Sequence, residues 1–244
     1  MKTSQALVAE VIGTFFLCFA GIAAILSTQS PIESGAGIVG IALAHGLALS
    51  VAVNAFGGVS GAHFNPAVTA GFLITGRIKF DKALLYVAAQ LMGGTLAAWA
   101  CYHFFPAQAV DSAKLGIPLP VAGNMPGEEG AWLTLPMLLG IEFVLTFLLM
   151  TAIFGTAVDE RGQVVKIGGF GIGLTVTFDI LAAGAITGAS MNPARSFGPA
   201  LVYQLTGGEG AFALHWCYWA APIAGAVVAA LVYHHLILGN DNDA

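Results

Sequence analysis

Two near-copies of one short segment constrain this chain more than any other feature of its sequence. Each copy contains Asn-Pro-Ala, at 65–67 and again at 192–194, and each follows a glycine-containing segment. Asparagine is a favoured helix N-cap and proline is favoured at the first helical position, so each copy predicts the start of a helix. The predicted helices, about 66–75 and 193–205, are too short to cross a bilayer, which takes roughly 20 residues.

The composition places these short helices in a membrane protein. Of 244 residues, 57% are hydrophobic and only 9% are charged, and the mean hydropathy is +0.85. Soluble domains carry about 25% charged residues. Irregular backbone at membrane depth is tolerated only where protein encloses it or where it lines a water-filled cavity. The two short helices are therefore predicted to form a pore. The net charge of -5, with no basic cluster, argues against a nucleic-acid partner.

Six longer apolar runs are predicted to span the membrane. One half-helix lies between the second and third spans, and the other lies between the fifth and sixth. A connection over 106–130, rich in proline and glycine, separates a first repeat at about 6–105 from a second at about 133–237, within one domain over 1–244. The predicted spans are 6–27, 37–56, 83–105, 133–157, 167–186 and 213–237.

The two repeats begin with similar segments, 9–15 with Glu10 and 141–147 with Glu142. Because each repeat has three spans, an odd number, the second enters the membrane in the opposite orientation. The predicted fold class is an all-α membrane protein with six transmembrane helices and two re-entrant half-helices in an inverted 3+3 repeat. The distribution of basic residues predicts that both termini are cytoplasmic. The residues predicted to be cytoplasmic are Lys2, Arg77, Lys79, Lys82, Arg161 and Lys166, against Lys114 outside.

The paired motifs predict a barrier to cations inside the pore. A helix N-terminus carries the equivalent of about +0.5 charge, and here two would meet. Each Asn side chain can cap its own helix through its oxygen and still offer N–H donors to the lumen. A water whose oxygen accepts hydrogen bonds from both amides cannot accept another from a neighbouring water. This interrupts the chain of hydrogen-bonded waters that could conduct protons. The motif residues are Asn65, Pro66, Ala67, Asn192, Pro193 and Ala194.

Glu10 and Glu142 are acids within predicted spans, where ionisable residues are rare. We expect each to accept backbone N–H groups from one re-entrant loop, so that the carbonyl oxygens of that loop face the pore. His63 is expected to pack beneath its loop. The residues expected to supply the pore-lining carbonyls are Gly61, Ala62, His63, Gly188, Ala189 and Ser190.

Two Asn-Pro-Ala motifs in inverted repeats resemble the aquaporin, or major intrinsic protein, family. The resemblance covers about 6–237 and is closest to plant tonoplast intrinsic proteins over 180–184 and 190–200. It implies a passive water channel that excludes protons, assembled in lipid as a homotetramer with one pore per subunit. The expected location is the cell (inner) membrane. Without a nucleophile–base set or metal-ligand spacing, the sequence predicts no enzyme, cofactor or metal.

Members of that family have an outer constriction of four residues. Water-selective members usually carry Phe on the second span and His on the fifth, whereas this chain has a His and an Ile. The resemblance therefore implies a wider and more apolar opening that also passes a small neutral solute such as ammonia or hydrogen peroxide. The alternative for His45 is a core histidine bonded to a neighbouring carbonyl. The matching positions are His45, Ile180, Ala189 and Arg195.

Other sequence features limit the choice of solute. Some ammonia-permeable tonoplast proteins add a His from the third loop, where this chain reads Ile-Pro-Leu-Pro at 117–120. Glycerol-conducting members usually carry Asp directly after the Arg and a basic residue four positions on, where this chain has Ser196 and Ala200. The tonoplast-like constriction still leaves one alternative, a facilitator mainly for ammonia, urea or glycerol.

A second alternative is an ion-coupled secondary transporter, because such proteins also use inverted repeats and broken helices. Beyond Glu10 and Glu142, the spans offer only Asp179 as an acid, and its spacing from Ile180 predicts that it misses the lumen. The cysteines are predicted to be packing residues, since free cysteine behaves as a small buried hydrophobe. They are Cys18, Cys101 and Cys217.

Overall fold

The structure is a computed structural model that describes residues 2–121, 125–164 and 166–239; the rest of the predicted domain and connection lies outside the described residues. All regular secondary structure in these ranges is helical, and six helices are long and apolar enough to cross a membrane. The predicted fold class is therefore confirmed. The helices are α1 Thr3–Ser27, α2 Gly37–Ser60, α3 Pro66–Ile74, α4 Phe80–Phe104, α5 Ala107–Ser112, α6 Leu135–Ile153, α7 Glu160–Gln163, α8 Gly168–Thr187, α9 Pro193–Leu205 and α10 Cys217–Val232.

Several boundaries differ from those predicted by hydropathy. Helix α2 runs past position 56 to Ser60, because the left-handed residue that stops it is Gly61, with φ 91°. The last span begins at Cys217 rather than 213, after a series of turns that includes Leu214 at φ 55°. Part of the predicted irregular connection is ordered as α5 and a 3-10 turn over Lys114–Gly116. Loop geometry, rather than apolar content, sets each of these limits.

Each re-entrant loop has a backbone conformation that is rare outside glycine. After α2, Gly61 at φ 91° is followed by Ala62 and Phe64, which also have positive φ. After α8, Ala189 and Met191 repeat the pattern behind a left-handed glycine. Non-glycine residues in the left-handed region cost about 1–3 kcal/mol each and persist only where the surroundings hold them. Both loops therefore need strong anchoring by the residues around them.

Equivalent tyrosines hold the ends of α2 and α8. The Tyr86 hydroxyl of α4 donates to the carbonyl oxygen of Ser60 at 2.7 Å. The Tyr218 hydroxyl of α10 donates to the carbonyl oxygen of Thr187 at 2.6 Å. Both tyrosines are buried. The last long helix of each repeat thus fixes the point at which its own re-entrant loop begins.

Each half-helix packs against the last long helix of the other repeat. Helix α3 crosses α10 at Gly71, where a Cβ atom would lie 3.2 Å from the carbonyl oxygen of Ala226. Helix α9 crosses α4 at Gly198, where a Cβ atom would overlap the backbone of Gly94. Small residues at such crossings allow backbones to approach closely within a membrane. The repeats are therefore interleaved, and both contribute to the same centre.

A polar clasp joins the segment after α6 to the end of α10. The Asp159 carboxylate accepts hydrogen bonds from the Arg161 guanidinium at 2.7–3.1 Å and from the Tyr233 hydroxyl at 3.1 Å. Arg161 also donates to the carbonyl oxygen of Ile237 at 3.0 Å. The hydrogen bonds from Arg161 lower the pKa of Asp159 to about 2. Because the unfolded pKa is about 3.9, the clasp contributes fully at neutral pH and is lost only as pH falls from about 4 toward 2.

The close crossing at Gly198 can be tested by adding one methyl group. We expect Gly198→Ala to lower stability by about 1–3 kcal/mol, because the methyl meets the Gly94 backbone and forces α9 away from α4. Thermal unfolding of the purified protein in detergent measures this loss. Gly58→Ala is the matched control, since a Cβ atom there meets nothing within 4 Å. Equal melting temperatures for wild type, variant and control would contradict the close-packing account.

Candidate channel and its constrictions

A cavity of about 280 Å³ extends along the axis between the two half-helices. Its wall is largely apolar and includes residues of α1, α2, α6 and α8 as well as both re-entrant loops. Polar groups reach it at only a few points, as in sites that orient small ligands. Of the residues named from the sequence, those that line it are His45, Gly61, Ala62, His63, Asn65, Ile180, Ala189, Ser190, Asn192 and Arg195.

The two Asn-Pro-Ala motifs meet beside this cavity, and their asparagines line it. The Asn65 side-chain oxygen accepts from the Ala67 N–H at 2.8 Å and caps α3. The Asn192 oxygen accepts from the N–H groups of Ala194 and Arg195 and caps α9. Pro66 and Pro193 occupy the first helical positions and are buried. The local capping chemistry therefore explains why both half-helices begin at the asparagines.

Each asparagine also bonds to the opposite loop. The Asn65 side-chain nitrogen donates to the carbonyl oxygen of Met191 at 2.8 Å. The Asn192 nitrogen donates to the carbonyl oxygen of Phe64 at 2.9 Å. Since an amide NH₂ has two hydrogens, each side chain retains one donor for the cavity. This reciprocal bonding is not evident from the sequence, because it joins residues far apart in the chain.

Glu10 anchors the first re-entrant loop. It is fully buried, and its carboxylate accepts from the backbone N–H groups of His63 at 3.0 Å and Phe64 at 2.7 Å. The Ser60 hydroxyl and the Gln90 amide donate to the same carboxylate at 2.6 and 2.7 Å. A buried carboxylate of this kind is tolerated because every nearby donor converges on it.

Glu142 anchors the second loop in the same way. It is also fully buried, and it accepts from the backbone N–H groups of Ser190 and Met191, both at 3.0 Å. The Thr187 hydroxyl donates to it at 2.7 Å. These bonds hold Ala189 and Met191 in the left-handed region despite its cost.

The loop carbonyls are left free by these contacts. Within the described ranges, none of the hydrogen bonds outside the helices ends on the six carbonyl oxygens expected to line the pore. Buried carbonyl groups are normally paired with backbone, side chains or ordered water, so these six are available to water in the cavity. The residues concerned are Gly61, Ala62, His63, Gly188, Ala189 and Ser190; Gly188 is the only one of them that does not line the cavity.

His63 takes part in a side network that has no counterpart at Ser190. Its Nδ1 atom lies 3.1 Å from the Thr69 hydroxyl, and its ring packs against Phe72 and Tyr86. Thr69 also accepts from the Gln90 amide at 3.0 Å, which links this network to Glu10. The sequence did not indicate Gln90, because it lies outside the repeated segments. Thr69 belongs to the first of these segments, but its contacts with His63 and Gln90 were not predicted.

His45 and Arg195 bond to each other and form a polar part of the cavity wall. The His45 Nδ1 atom lies 2.8 Å from the carbonyl oxygen of Ile41, so Nδ1 must carry the hydrogen. The Nε2 lone pair then accepts from the Arg195 Nε at 3.1 Å. His45 thus has both of the roles weighed for it, since it bonds to a neighbouring carbonyl and also faces the cavity. Ile180 and Ala189 are apolar residues of the same cavity wall.

The third loop contributes the other contact of Arg195. Its Nη1 donates to the carbonyl oxygen of Gly116 at 2.8 Å. Three successive residues, Lys114 to Gly116, have positive φ, and this turn directs the carbonyl inward. Arg195 is 3% exposed and is held by neutral acceptors, while the ion pair in the described part of the chain lies elsewhere, between Asp159 and Arg161. Arg195 therefore brings a positive charge to the cavity wall without a direct ion pair in the described part of the chain.

Asp179 does not line the cavity and is fully buried. Neither of its carboxylate oxygens has a hydrogen-bond partner in the described part of the chain, and nothing in the structure explains an acid at this position. The three cysteines are free and buried. No group of three or more His, Cys, Asp or Glu suited to a metal ion occurs among the described residues.

Comparison with known proteins gives a consistent result over nearly the whole chain. The family model described as Major intrinsic protein matches residues 1–233. Aquaporin TIP4-4 of Zea mays is 42% identical over 238 residues, covering 96% of this chain and 87% of the relative. Aquaporin NIP1-2 of Arabidopsis thaliana is 40% identical over 232 residues, covering 94% and 73%. The aquaglyceroporin from Plasmodium falciparum has a similar fold, with a TM-score of 0.83, 24% identity and 97% coverage of both chains.

The anchoring of the second loop can be tested with Glu142→Gln. The amide offers one acceptor oxygen instead of two, so one of the N–H groups of Ser190 and Met191 loses its partner. We expect a loss of about 1–3 kcal/mol, the cost of an unsatisfied buried donor. Thermal unfolding in detergent measures it, and Glu160→Gln on the exposed α7 is the matched control. A variant as stable as the control would contradict the anchoring role.

Proposed function

The chain belongs to the major intrinsic protein family, and from this premise we propose that it is a passive water channel that excludes protons and also passes a small neutral solute, ammonia or hydrogen peroxide. Its family consists of channels and its relatives are named aquaporins, so the protein is a membrane channel rather than an enzyme. The observation that carries the proposal is the meeting of two asparagine-capped half-helices in the wall of one cavity.

Proton exclusion follows from the charge and the donors at this centre. Two helix N-termini, each equivalent to about +0.5 charge, lie side by side there and repel cations. The remaining N–H donors of Asn65 and Asn192 would both bond to the oxygen of one passing water. That water cannot then accept a proton from its neighbour in the file. Arg195 adds a second positive barrier, a device that channels use against cations.

Passage of a second neutral solute follows from the composition of the outer constriction. Ile180 is apolar, Ala189 adds almost no bulk and the His45 ring is smaller than that of Phe, so we expect an opening wider than in a strict water channel. His45 and Arg195 supply the polar contacts that replace part of the hydration of a solute. Ser196 and Ala200, at positions where glycerol channels differ, argue against glycerol as the main solute. The likeness to an aquaglyceroporin is one of fold alone.

We also propose the setting in which the channel works. Residues 1–244 form one channel domain with one pore, and four such chains assemble in lipid, in the cell (inner) membrane, with both termini cytoplasmic. The basic loop residues support this orientation. Apolar side chains exposed on the helix surfaces fit contact with lipid or with neighbouring subunits; examples are Leu43, Leu47 and Val51 of α2 and Leu174, Phe178 and Leu181 of α8.

The general test is stopped-flow light scattering of proteoliposomes challenged in turn with sucrose, glycerol and urea. A water channel accelerates shrinkage in sucrose and leaves glycerol entry close to that of empty vesicles. Faster entry of urea or glycerol than of water would favour the alternative, a facilitator for those solutes. Uptake that depends on a proton gradient would identify an ion-coupled transporter instead, and the proposal would be wrong.

The central barrier can be tested with Asn65→Asp and Asn192→Asp. Each change places a negative charge at the meeting helix ends and should raise proton leak roughly tenfold, the effect of about 1.4 kcal/mol on a barrier. A pH-sensitive dye inside proteoliposomes measures the leak. Gln163→Glu, outside the spans, adds the same charge away from the cavity and should have no effect. Proton leak equal to wild type in both Asp variants, with normal water flux, would contradict the barrier.

Solute choice can be tested by rebuilding the constriction. His45→Phe combined with Ile180→His restores the residues usual in water-selective members. We expect the ratio of ammonia or peroxide permeability to water permeability to fall roughly tenfold, because a barrier increase of about 1.4 kcal/mol suffices. Leu47→Phe, on the exposed face of α2, is the matched control. An unchanged ratio in the double variant would mean that selection occurs elsewhere in the channel.

A further inference from the structure

The His45 ring lies in a notch on α1 that exists only because residue 21 is glycine. A Cβ atom at Gly21 would overlap the ring atoms Nε2, Cδ2 and Cε1 of His45. Gly21 is buried within α1, six residues before the helix ends at Ser27. Glycine in a helix interior costs about 1 kcal/mol relative to alanine, so a packing reason is expected there. The imidazole ring fills the space that the missing side chain leaves.

Two hydrogen bonds fix the ring in this notch. Its Nδ1 donates to Ile41 on its own helix, and its Nε2 accepts from Arg195. The other acceptor of Arg195 is the Gly116 carbonyl, and Gly116 itself packs against Ile22 and Ile25 of α1. The His45 ring and Gly116, which hold the guanidinium, therefore both pack against residues 21–25 of α1. These contacts keep His45 and Arg195 on the side of the constriction formed by α1.

The second repeat shows what the same positions look like without a notch. When the two repeats are aligned so that Glu10 matches Glu142, Gly21 matches Ile153. When Asn65 is placed on Asn192, His45 corresponds to Ile172, and both isoleucines line the cavity. The second repeat thus has an isoleucine at both positions. The first repeat has an imidazole ring at His45 and no side chain at Gly21. The loss of bulk at Gly21 matches the gain of bulk at His45.

We propose that Gly21 is a specificity-determining residue of the outer constriction. By receiving the His45 ring, it keeps His45 and Arg195 on the α1 side and leaves the space beside Ile180 and Ala189 open to a solute larger than water. A side chain at position 21 turns the ring toward the lumen and weakens its bond to Arg195. This inference rests on the proposed function, since it assumes that solutes pass this constriction.

The test is Gly21→Ala in the full chain, reconstituted in liposomes, with water and hydrogen peroxide permeabilities measured on the same preparation. The expected result is a fall of roughly tenfold in the peroxide-to-water permeability ratio, with water flux affected far less. Gly58→Ala, where a Cβ atom meets nothing within 4 Å, is the matched control and keeps the wild-type ratio. A wild-type ratio in Gly21→Ala, or an equal fall in the control, overturns the inference.

A second variant covers the case in which Gly21→Ala fails to fold. Gly21→Ala with His45→Ala removes the ring that the new methyl group meets, so the inference expects recovery of folded protein and high peroxide flux. His45→Ala alone is the control for loss of the bond to Arg195. A double variant that is misfolded while His45→Ala folds overturns the inference, because Gly21 then serves another contact. Wild-type protein that conducts no water overturns the proposed function itself. Wild-type protein that conducts water but no peroxide overturns only the role of Gly21 in admitting the larger solute.

Discussion

The fold depends on two buried carboxylates that accept backbone N–H groups. At membrane depth neither lipid nor bulk water can satisfy a backbone that leaves the helical conformation. Glu10 and Glu142 supply the missing acceptors, one for each re-entrant loop. With their N–H groups bonded outward, the loops can hold left-handed residues and leave their carbonyl oxygens free beside the cavity. The carbonyl oxygens in the otherwise apolar cavity wall are thus a consequence of how the two carboxylates anchor the loops from behind.

The two Asn-Pro-Ala motifs are positioned mainly by helices that are distant in the sequence, because the repeats are interleaved. Helix α3 is held by α10 and helix α9 by α4, so each motif is positioned by a helix from the other repeat. The wall of the cavity draws even more widely, on α1, α2, α6, α8 and both re-entrant loops, and the third loop holds Arg195. Folding must therefore bring most of the chain together before the cavity exists.

Sequence reasoning worked best where the physics is local. N-cap chemistry and proline placement predicted the start of α3 and α9, and apolar runs predicted six spans. It did not predict the donors from Asn65 and Asn192 to the opposite loops, or the roles of Gln90 and Gly116. These contacts join distant segments or use backbone atoms that no residue type reveals. The order in the third loop was missed for the same reason, because left-handed turns at Lys114 and Leu115 leave no pattern in composition.

The hydrogen bonds between the two motifs form a closed cycle. Asn65 reaches the residue before Asn192, and Asn192 reaches the residue before Asn65, so the backbone completes a ring through both. The two hydrogen bonds in this ring are not independent. If one of them breaks, the loops can move apart, and the other loses the geometry that it requires. The two motifs therefore act as a single cooperative unit despite their separation in the chain. Substitutions in one should be strongly non-additive with substitutions in the other, and drift at either position is restrained by its distant partner.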